Sequence, residues 1–348
     1  MTRVALITDT HYGCRGDAEL FLDHFNKFTD NVFFPYLKKN GIGHVIHLGD
    51  LVDRRKFINF NTAKRMREDF IEPLIKIASL DVIAGNHDTM FKSTNEVNAL
   101  QELLKSDRIN TYINPSEICI DGTSILLVPW ISPENQEYAF KAIKDTKSQI
   151  CMGHFQIQGF EMHTGTFCTD GLDHGMFAKF DIVMSDHFHK KSKAYNIHYL
   201  GTPWDFTWAD YDEPKGFHIF DTSTRELKFI QNPYTIFDKI KYNDTNMLGL
   251  PTDLHNHKGK FIKLYVEEKI NPYLFDRYVD ALDKEAYDLK IVDQKVTMTS
   301  MGNIQVKAAD SATVLNHVIE QADIDYDKDK LKTFLMNLYL EASHMETT

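Results

Sequence analysis

The sequence predicts an α/β protein built on a two-sheet sandwich flanked by helices. Two observations lead to this prediction. First, short apolar and β-branched runs such as residues 4–7 and 45–48 alternate with helix-like segments at 20–39 and 61–79, a pattern typical of β-α-β units. Second, several later strand-like runs are joined by hairpin-like turns, which indicates a second sheet. These runs are residues 123–128, 181–184, 197–200 and 216–220.

The chain is predicted to divide into three parts, with the first boundary near the Asn232-Pro233 turn. Residues 1–235 form the main domain, because strand-like and helix-like segments alternate throughout them. Residues 236–298 form a small cap or accessory domain, and residues 299–348 form a linker with terminal helices. At 348 residues the chain is long enough for one large domain and one or two small ones.

The cap is predicted to contain a β-α-β unit. Residues 261–266 indicate a strand, Asn271-Pro272 supplies a helix N-cap followed by proline at the first helical position, and residues 289–298 return as a strand. After a polar linker come two short amphipathic helices, which either dock on their own domain or bind a groove on a partner. The apolar stripe of the second helix is Leu331, Phe334, Leu335 and Leu338.

Five short polar motifs each follow an apolar run, at the point where a predicted strand ends. Their carboxylates, amide and imidazoles are ligands for divalent metal ions. Two such ions need roughly seven to nine protein ligands, one of them shared, and paired ions clamp the attacking and leaving oxygens of a phosphate ester. Because the strand ends are expected to meet at one rim, the motifs predict a dinuclear metal site. They are Asp9-Thr10-His11, Gly49-Asp50-Leu51-Val52-Asp53, Gly85-Asn86-His87-Asp88, Gly153-His154 and His187-Phe188-His189.

The composition indicates a folded protein and limits its partners. The formal net charge of −11 argues against nucleic-acid binding driven by bulk charge but leaves local contacts open. No stretch approaches the roughly twenty apolar residues of a membrane span, and the first residues lack the regions of a signal peptide. The four cysteines show neither metal-ligand spacing nor a disulfide pattern, so a cytoplasmic location without membrane attachment is expected.

The five motifs and their order resemble those of the calcineurin-like metallophosphoesterases. The resemblance implies a metallophosphoesterase sandwich and a ligand set. One ion would be held by Asp9, His11, Asp50 and His189, and the other by Asp50, Asn86, His154 and His187, with Asp50 bridging. His87 would meet the scissile phosphate or the leaving oxygen and would not bind metal. His87 and Asp50 are therefore the expected catalytic residues.

The resemblance also implies a mechanism, hydrolysis of a phosphodiester by water that two ions activate. His87 would assist the departing 3′ oxygen as a general acid or hydrogen-bond donor. Two Mn²⁺ ions are the expected cofactors, because four imidazoles among the ligands favour a borderline metal. Mg²⁺ is the alternative, with less activity expected. Asp53 and Asp88 either orient ligands through hydrogen bonds or serve as cap or turn residues.

A phosphoesterase domain followed by a β-α-β cap and a helical tail resembles the nuclease subunits of SbcCD-type DNA repair and recombination complexes. Residues 153–160 and 199–204 resemble the T-even bacteriophage branch of that group. The resemblance implies a DNA exonuclease or endonuclease, a DNA-binding cap, a homodimer, and a coiled-coil ABC-type ATPase bound by the C-terminal helices. Two positions depart from the pattern: Ser185-Asp186 stands where many relatives have glycine, and Asp53 where some have a phosphate-orienting histidine.

Basic residues beside three of the motifs are candidates for DNA phosphate contacts, which fix register without reading sequence. Each alone would be an ordinary solvated loop charge, but their common position beside the predicted metal site favours phosphate binding. They are Arg54, Arg55, Lys92, Lys190 and Lys191.

Three alternative functions share some of these features. Protein Ser/Thr phosphatases have the same opening motifs, but they typically carry glycine and glutamate where this sequence has Arg55 and Asp88. A small-molecule phosphodiesterase would not need the cap and tail. A non-catalytic scaffold on the same fold would usually have lost ligands, whereas this sequence retains every predicted one.

Overall fold

The structure is a computed structural model that describes residues 3–163, 165–245 and 254–293. Its strands are β1 (Arg3–Ile7), β2 (His44–His47), β3 (Ser79–Ile83), β4 (Ile109–Tyr112), β5 (Ser116–Ile120), β6 (Thr123–Val128), β7 (Ile150–His154), β8 (Glu161–His163), β9 (Thr166–Phe167), β10 (Ile182–Asp186), β11 (Ser192–Ala194), β12 (Ile197–Tyr199), β13 (Gly216–Asp221), β14 (Leu227–Gln231), β15 (Phe237–Asn243), β16 (Phe261–Glu268) and β17 (Asp288–Asp293). Its α-helices are α1 (Cys14–Asp17), α2 (Glu19–Phe28), α3 (Phe34–Asn40), α4 (Phe60–Arg65), α5 (Glu72–Ile77), α6 (Ala99–Leu103), α7 (Gln136–Asp145) and α8 (Pro272–Glu285). The predicted terminal helices lie outside the described residues.

Two six-stranded mixed sheets form the main body of the described chain. The first has the order β14-β13-β1-β2-β3-β4, in which β1 to β4 run parallel. The second has the order β11-β12-β10-β7-β6-β5, in which β6, β7, β10 and β12 run parallel. Antiparallel strands complete the outer edges, with β13 and β14 on the first sheet and β5 and β11 on the second.

The two sheets pack face to face, with helices on their outer faces. Because side chains alternate along a strand, Val4 and Leu6 of β1 enter the core between the sheets, whereas Ala5 and Ile7 pack against the helices. On the second sheet, the outer face is covered by α7, whose Ala139 joins a separate buried cluster. The predicted α/β two-sheet sandwich flanked by helices is therefore confirmed.

Two long helical segments cover the first sheet, and each contains a proline. A π-helical turn at Thr29–Phe33 joins α2 to α3 just before Pro35, and another at Met66–Ile71 joins α4 to α5 just before Pro73. Proline lacks an N–H and crowds the preceding turn, and the wider π turn accommodates both effects. Both segments therefore stay helical across the proline, close to the boundaries predicted from the sequence.

A third sheet, with the order β15-β16-β17, follows the main body, and all its strands run parallel. Helix α8 connects β16 to β17 and packs Phe275 and Leu282 against Leu264. Phe237 and Phe261, at the starts of β15 and β16, pack against the main core. The expected strand-helix-strand unit is present up to Asp293, and residues 294–298 of its predicted last strand lie outside the described residues. β15 adds a parallel strand that the sequence prediction missed. The proposed domain limits stay a prediction.

Several other elements, most of them short, were missed: α1, α6, α7, β4, β5, β8, β9, β11 and β14. All four cysteines are free thiols, as their spacing predicted. Among the described residues, no helix is both long and apolar enough to cross a membrane.

Candidate metal centre

The ends of five strands bring the five motifs together, although these strands belong to two different sheets. In the first sheet, β1, β2 and β3 lead into the motifs that contain Asp9, Asp50 and Asn86. In the second sheet, β7 ends at His154, and β10 leads directly to His187. The prediction placed all five ends on one rim. The structure builds that rim from both sheets, so each sheet contributes part of the candidate ligand set.

Four of the candidate ligands have backbone conformations that side chains rarely adopt. The angle φ is +47° at Asp9, +43° at His11, +54° at Asp50 and +118° at His187. Such conformations cost on the order of 1–3 kcal/mol each and persist only where the surroundings hold them. Here the Asp9 N–H donates to the Gly49 carbonyl at 2.9 Å, and the His11 N–H donates to the Asp50 carbonyl at 3.1 Å. These two hydrogen bonds therefore fix the backbone of the turn after β1 against the turn after β2.

Two glycines allow these turns to approach closely. A Cβ at Gly85 would lie 2.2 Å from Asp50 Oδ1 and 2.3 Å from the Asp50 backbone nitrogen. A Cβ at Gly49 would lie 2.8 Å from the Gly85 backbone and from His154 Nδ1, and Gly49 also has φ of +100°. Any larger residue at either position would push the Asp50 turn away from its neighbours.

A first group of candidate ligands, the His11 trio, consists of Asp9, His11 and His189. One ligand atom from each lies within 4.8 Å of the others. Nε2 of His11 lies 3.5 Å from Asp9 Oδ1, and Nε2 of His189 lies 3.7 Å from the same oxygen. The three atoms therefore surround a space of the size that a single metal ion fills.

A second group, the His154 trio, consists of Asp50, His154 and His187, again with one ligand atom from each within 4.8 Å of the others. The Asn86 amide oxygen joins this trio, at 3.0 Å from His154 Nε2 and 2.9 Å from His187 Nδ1. On its other side, His154 Nδ1–H donates to the Leu48 carbonyl at 2.9 Å, which leaves the Nε2 lone pair facing the trio.

The Asp50 carboxylate belongs to the His154 trio but also faces the His11 trio. Its Oδ2 is 3.7 Å from His11 Nε2 and 3.4 Å from His154 Nε2. Its Oδ1 accepts a hydrogen bond from the His87 N–H at 2.7 Å, which fixes the orientation of the carboxylate. One oxygen of Asp50 therefore faces ligand atoms of both trios, which is one of the two ways in which a carboxylate can bridge two ions.

The donor set fits divalent cations. Asp9, Asp50 and Asp186 are each at most 1% exposed, and burying carboxylates together is costly unless positive charge accompanies them. Within the described chain, Asp9 Oδ1 and His11 Nε2 have no hydrogen-bond partner despite their burial. Although burial lowers the pKa of His154, the Asp50 carboxylate outweighs it and raises this pKa to about 9. The site therefore attracts positive charge, which a proton supplies in part and bound metal would supply further.

His87 and Asp53 lie beside the His11 trio. Nδ1–H of His87 donates to the Asp53 carbonyl, which leaves Nε2 directed elsewhere. The Asp53 carboxylate oxygen Oδ1 lies 3.3 Å from His11 Nδ1, on the opposite edge of that ring from Asp9. His11, Asp53 and His87 also satisfy the distance criterion for a metal cluster. Asp53 thus lies on the side of His11 from which a carboxylate can orient a ligating imidazole, although among the described residues His11 Nδ1 makes no hydrogen bond.

Asp88 and His47 support the backbone of the site. The buried Asp88 carboxylate accepts hydrogen bonds from the Gly85 N–H at 2.9 Å and the Val52 N–H at 3.1 Å, so it fastens the second motif to the third. Burial, together with the nearby Asp50 charge, raises the pKa of Asp88 to about 7. His47 accepts from the Gly49 N–H at 3.3 Å, and its Nε2 lies 3.1 Å from the Thr10 hydroxyl. Both residues therefore position the turns that carry ligands.

The sequence did not predict the aromatic side chains that pack against the candidate ligands. The Trp130 ring lies 5.2 Å from the His187 ring and 6.1 Å from that of His154. On the other side, the Phe206 ring lies 5.1 Å from His11 and 5.3 Å from His189. Trp130 follows the apolar run of β6 as the motifs follow theirs, which was an available signal. Phe206 belongs to an irregular loop and gave no such signal.

The sequence also gave no sign of a buried ion pair behind His189. Lys215 Nζ donates to the Asp210 carboxylate at 2.7 Å and to the His189 carbonyl at 3.1 Å. Both side chains are less than a tenth exposed. This pair fixes the loop that carries the last candidate ligand.

The basic residues predicted to contact DNA phosphates already have protein partners. Arg54 pairs with Asp17, and Lys190 lies 2.9 Å from Glu161 and 3.3 Å from Glu213. The remaining members differ in their surroundings: Arg55 donates weakly to Thr89, Lys191 lies over the Phe229 ring at 3.6 Å, and Lys92 is exposed. Their binding of phosphate stays a prediction, and each of the five would have to give up or rearrange an existing contact to do so.

The fold and the two trios agree with a family assignment. The family model described as calcineurin-like phosphoesterase matches residues 2–191, more than half of the chain, and the chain belongs to this family. The protein is accordingly a metal-dependent hydrolase of phosphoester bonds.

One characterised relative matches almost from end to end. The chain is 30% identical over 352 residues to exonuclease subunit 1 of Enterobacteria phage T4, covering 98% of this chain and 99% of that protein. Among solved structures, a purple acid phosphatase from yellow lupin (Lupinus luteus) seeds is similar at 15% identity with a TM-score of 0.40, over 66% of this chain and 52% of that one. A novel archaeal phosphodiesterase is similar at 15% identity with a TM-score of 0.34, over 66% of this chain and all of that one.

Replacing Gly85 by alanine tests the close approach at the centre of the site. The new Cβ would displace Asp50, and a displacement of about 1 Å at a catalytic centre costs roughly a hundredfold in rate. We expect Gly85→Ala to lower metal affinity and phosphodiester hydrolysis by at least this order, measured by metal titration and steady-state kinetics. Gly43→Ala is the matched control, because a Cβ there meets nothing within 4 Å. Equal activity of the two variants would show that the turn relaxes freely.

Proposed function

We propose that the protein is a manganese-dependent DNA nuclease that hydrolyses phosphodiester bonds with two metal ions. The observation that carries the proposal is the position of Asp50 Oδ2 between His11 Nε2 and His154 Nε2. The full-length similarity to an exonuclease subunit supports DNA as the substrate. The expected setting is the cytoplasm, where DNA recombination, repair or replication requires such cleavage.

The proposed ligands follow the two trios. The His11 trio would hold one ion, and the His154 trio with Asn86 would hold the other, with Asp50 of the His154 trio shared by both ions. When bound, two such ions supply an activated water and neutralise the charge that develops on the phosphate. Four imidazoles in this set favour Mn²⁺ over Mg²⁺, which prefers oxygen ligands.

His87 is positioned to work on the leaving group. Its Nδ1–H is engaged by the Asp53 carbonyl, so a second proton on Nε2 is the one available for transfer. The His87 backbone is tied to Asp50, and its ring lies 4.9 Å from the His11 ring, beside the centre. We therefore assign Nε2–H of His87 to donate its proton to the departing 3′ oxygen. Asp53 takes the place where some relatives have a histidine, and it acts through its contacts with His11 and His87.

A row of lysines crosses the third sheet and supports DNA as the substrate. Lys239 of β15 lies directly opposite Lys263 of β16, which lies opposite Lys290 of β17. Burial, followed by repulsion from the two neighbouring lysines, lowers the pKa of Lys263. Like charges facing each other across strands are destabilising. A polyanion such as a DNA backbone would relieve this repulsion, even though the whole chain is acidic.

This lysine row is connected to the candidate metal centre by one loop. The loop begins at Phe206, which packs on His11 and His189, and continues to Trp208 and Tyr211. Lys263 Nζ lies 4.1 Å from the centre of the Trp208 ring, and Lys239 Nζ lies 4.2 Å from that of Tyr211. Alternating cationic and aromatic side chains suit a nucleic-acid strand, which offers phosphates and stacking bases. We propose that DNA runs along this row into the centre.

We further propose that the protein forms a homodimer and binds a coiled-coil ABC-type ATPase through its C-terminal helices, as the family resemblance implies. For the homodimer, the described surface offers exposed apolar side chains around the loop after β2, including Phe57 at 62% and Phe60 at 94% exposure. Met90 and Val97 line the same apolar depression as Phe57, which a second copy would cover. The helices proposed for the ATPase lie outside the described residues.

The proposed activity is tested with the purified protein, linear duplex DNA, circular single-stranded DNA and a phosphoprotein, each with Mn²⁺ and with Mg²⁺. We expect cleavage of DNA with Mn²⁺, weaker cleavage with Mg²⁺ and no release of phosphate from the phosphoprotein. Asp50→Asn should abolish cleavage while circular dichroism shows an intact fold. Dephosphorylation without DNA cleavage would instead identify a protein phosphatase, and inertness towards all substrates would indicate a scaffold.

His87→Gln separates chemistry from metal binding. Losing a general acid should lower turnover roughly 100- to 10,000-fold, while the protein still binds two Mn²⁺ per chain in metal analysis. His174→Gln, at a partly buried histidine that stacks on Tyr195 and belongs to neither trio, should leave both quantities unchanged. Loss of one bound ion in the His87 variant would place this residue among the ligands.

Replacing Lys239, Lys263 and Lys290 with glutamine tests the DNA path. Each lost phosphate contact should reduce the slope of log affinity against log salt by about 0.9 for duplex DNA. The matched control replaces Lys38, Lys39 and Lys147, which are exposed, so the change in net charge is the same. If both triple variants weaken binding equally, the effect is bulk electrostatics and the lysine row is not a DNA contact.

Truncation before Asp310 tests the ATPase partner. We expect the shortened protein to retain Mn²⁺-dependent cleavage but to lose co-purification with the ATPase. A shortened protein that unfolds, or one that binds the ATPase with full affinity, would show that the partner site lies elsewhere.

A further inference from the structure

A cavity of about 380 Å³ opens beside the His154 trio, on the side away from the lysine row's loop. Apolar parts of Trp130, Ile131 and Leu172 line it, and His154 forms part of its wall. The cavity therefore begins at a proposed metal ligand and extends outward between the β6–α7 connection and the loop after β7. Its volume lies within the range that binds small organic groups. None of the roles assigned so far uses it.

Trp130 is held rigidly at the inner end of this cavity. The backbone N–H of Trp130 donates to the Ala84 carbonyl at 2.7 Å. Its carbonyl accepts from the side-chain amides of Asn95 at 2.8 Å and Asn135 at 3.1 Å. The Trp130 side chain is nevertheless only partly buried. A tryptophan that served the core alone would be covered, whereas this one presents part of its ring to the cavity.

Polar groups stand at the edge of the same cavity. Ser132 is 1% exposed, and among the described residues its hydroxyl has no hydrogen-bond partner. An unpartnered buried hydroxyl is costly, and a ligand that bonds to it would recover that cost. Across the cavity, the Gln156 amide is held in place by a hydrogen bond to the Asp170 carboxylate at 3.1 Å. The lining thus combines a planar aromatic surface with fixed polar groups.

We propose that this cavity binds the nucleoside attached to the scissile phosphate, with its base stacked on Trp130. This inference rests on the proposed function, because it takes the phosphate to lie at the two trios. The cavity opens at His154, so a group bonded to that phosphate can enter it. Ser132 and Gln156 are the polar groups for the base or sugar. A nucleoside has both the flat apolar face and the polar edge that this lining requires, and a phosphoserine side chain has neither.

The test compares two diesters that share one leaving group: thymidine 5′-(4-nitrophenyl phosphate) and methyl 4-nitrophenyl phosphate. With Mn²⁺, the wild-type protein should hydrolyse the nucleoside ester with the higher kcat/KM. Trp130→Ala should reduce the ratio of the two kcat/KM values by about tenfold, the order expected for one base stacked on an aromatic ring. Tyr138→Ala is the matched control. It removes an exposed aromatic residue of α7 that does not line the cavity, and it should leave the ratio unchanged.

A second variant tests whether the effect of Trp130→Ala comes from the cavity or from a general loss of structure. Leu172→Trp fills the cavity without removing any contact to His154 or His187, and it should also reduce the ratio. In parallel, calorimetry with Mn²⁺ should show that thymidine 5′-monophosphate binds more tightly than deoxyribose 5-phosphate to the wild type, but not to Trp130→Ala.

The outcomes separate this inference from the proposed function. Equal losses with both diesters in Trp130→Ala would mean that Trp130 is only structural, and absence of any base preference in the wild type would equally overturn the inference. If neither diester is hydrolysed but calorimetry still shows base-dependent binding, the nuclease proposal fails and the nucleoside site stands.

Discussion

The site depends on how the Asp50 carboxylate is held between two groups of histidines. Its Oδ1 is fixed by the His87 N–H, and its Oδ2 faces the His11 and His154 trios. This placement requires a left-handed backbone at Asp50 and a glycine at position 85, whose missing Cβ leaves room for the carboxylate. Because each trio combines ligands from both sheets, the packing of the sandwich itself sets the distances among the candidate ligands.

The residues on either side of the centre indicate how a DNA strand would lie across it. Phe206 packs beside the His11 trio and begins the loop that reaches the lysine row. Trp130 packs beside the His154 trio and lines the cavity. Charged and aromatic groups on one side suit a polyanionic strand, and a small half-apolar cavity on the other suits one nucleoside. In this account, a strand would approach along the third sheet and place its reacting nucleotide across the two ion sites.

The sequence predicted the sandwich and the convergence of the motif residues because both follow from local patterns. Each candidate ligand lies just after a β-branched run, and the ends of parallel strands meet at one side of a sheet. Other features depend on contacts that no local pattern records. Lys215 meets His189 only through the folded loop, and the lysine row exists only because β15 pairs in register with β16 and β17. β15 did carry a weak signal, since polar residues alternate with apolar ones from Lys239 to Tyr242.

The most direct test of the central claim is a crystal structure of the Mn²⁺-loaded protein with anomalous scattering to locate the ions. The account predicts two peaks, one within the His11 trio and one within the His154 trio beside Asn86, with Asp50 contacting both. A single peak would contradict the shared role of Asp50. A peak among His11, Asp53 and His87 would also contradict the account, because it would move His87 from the chemistry into the ligand set.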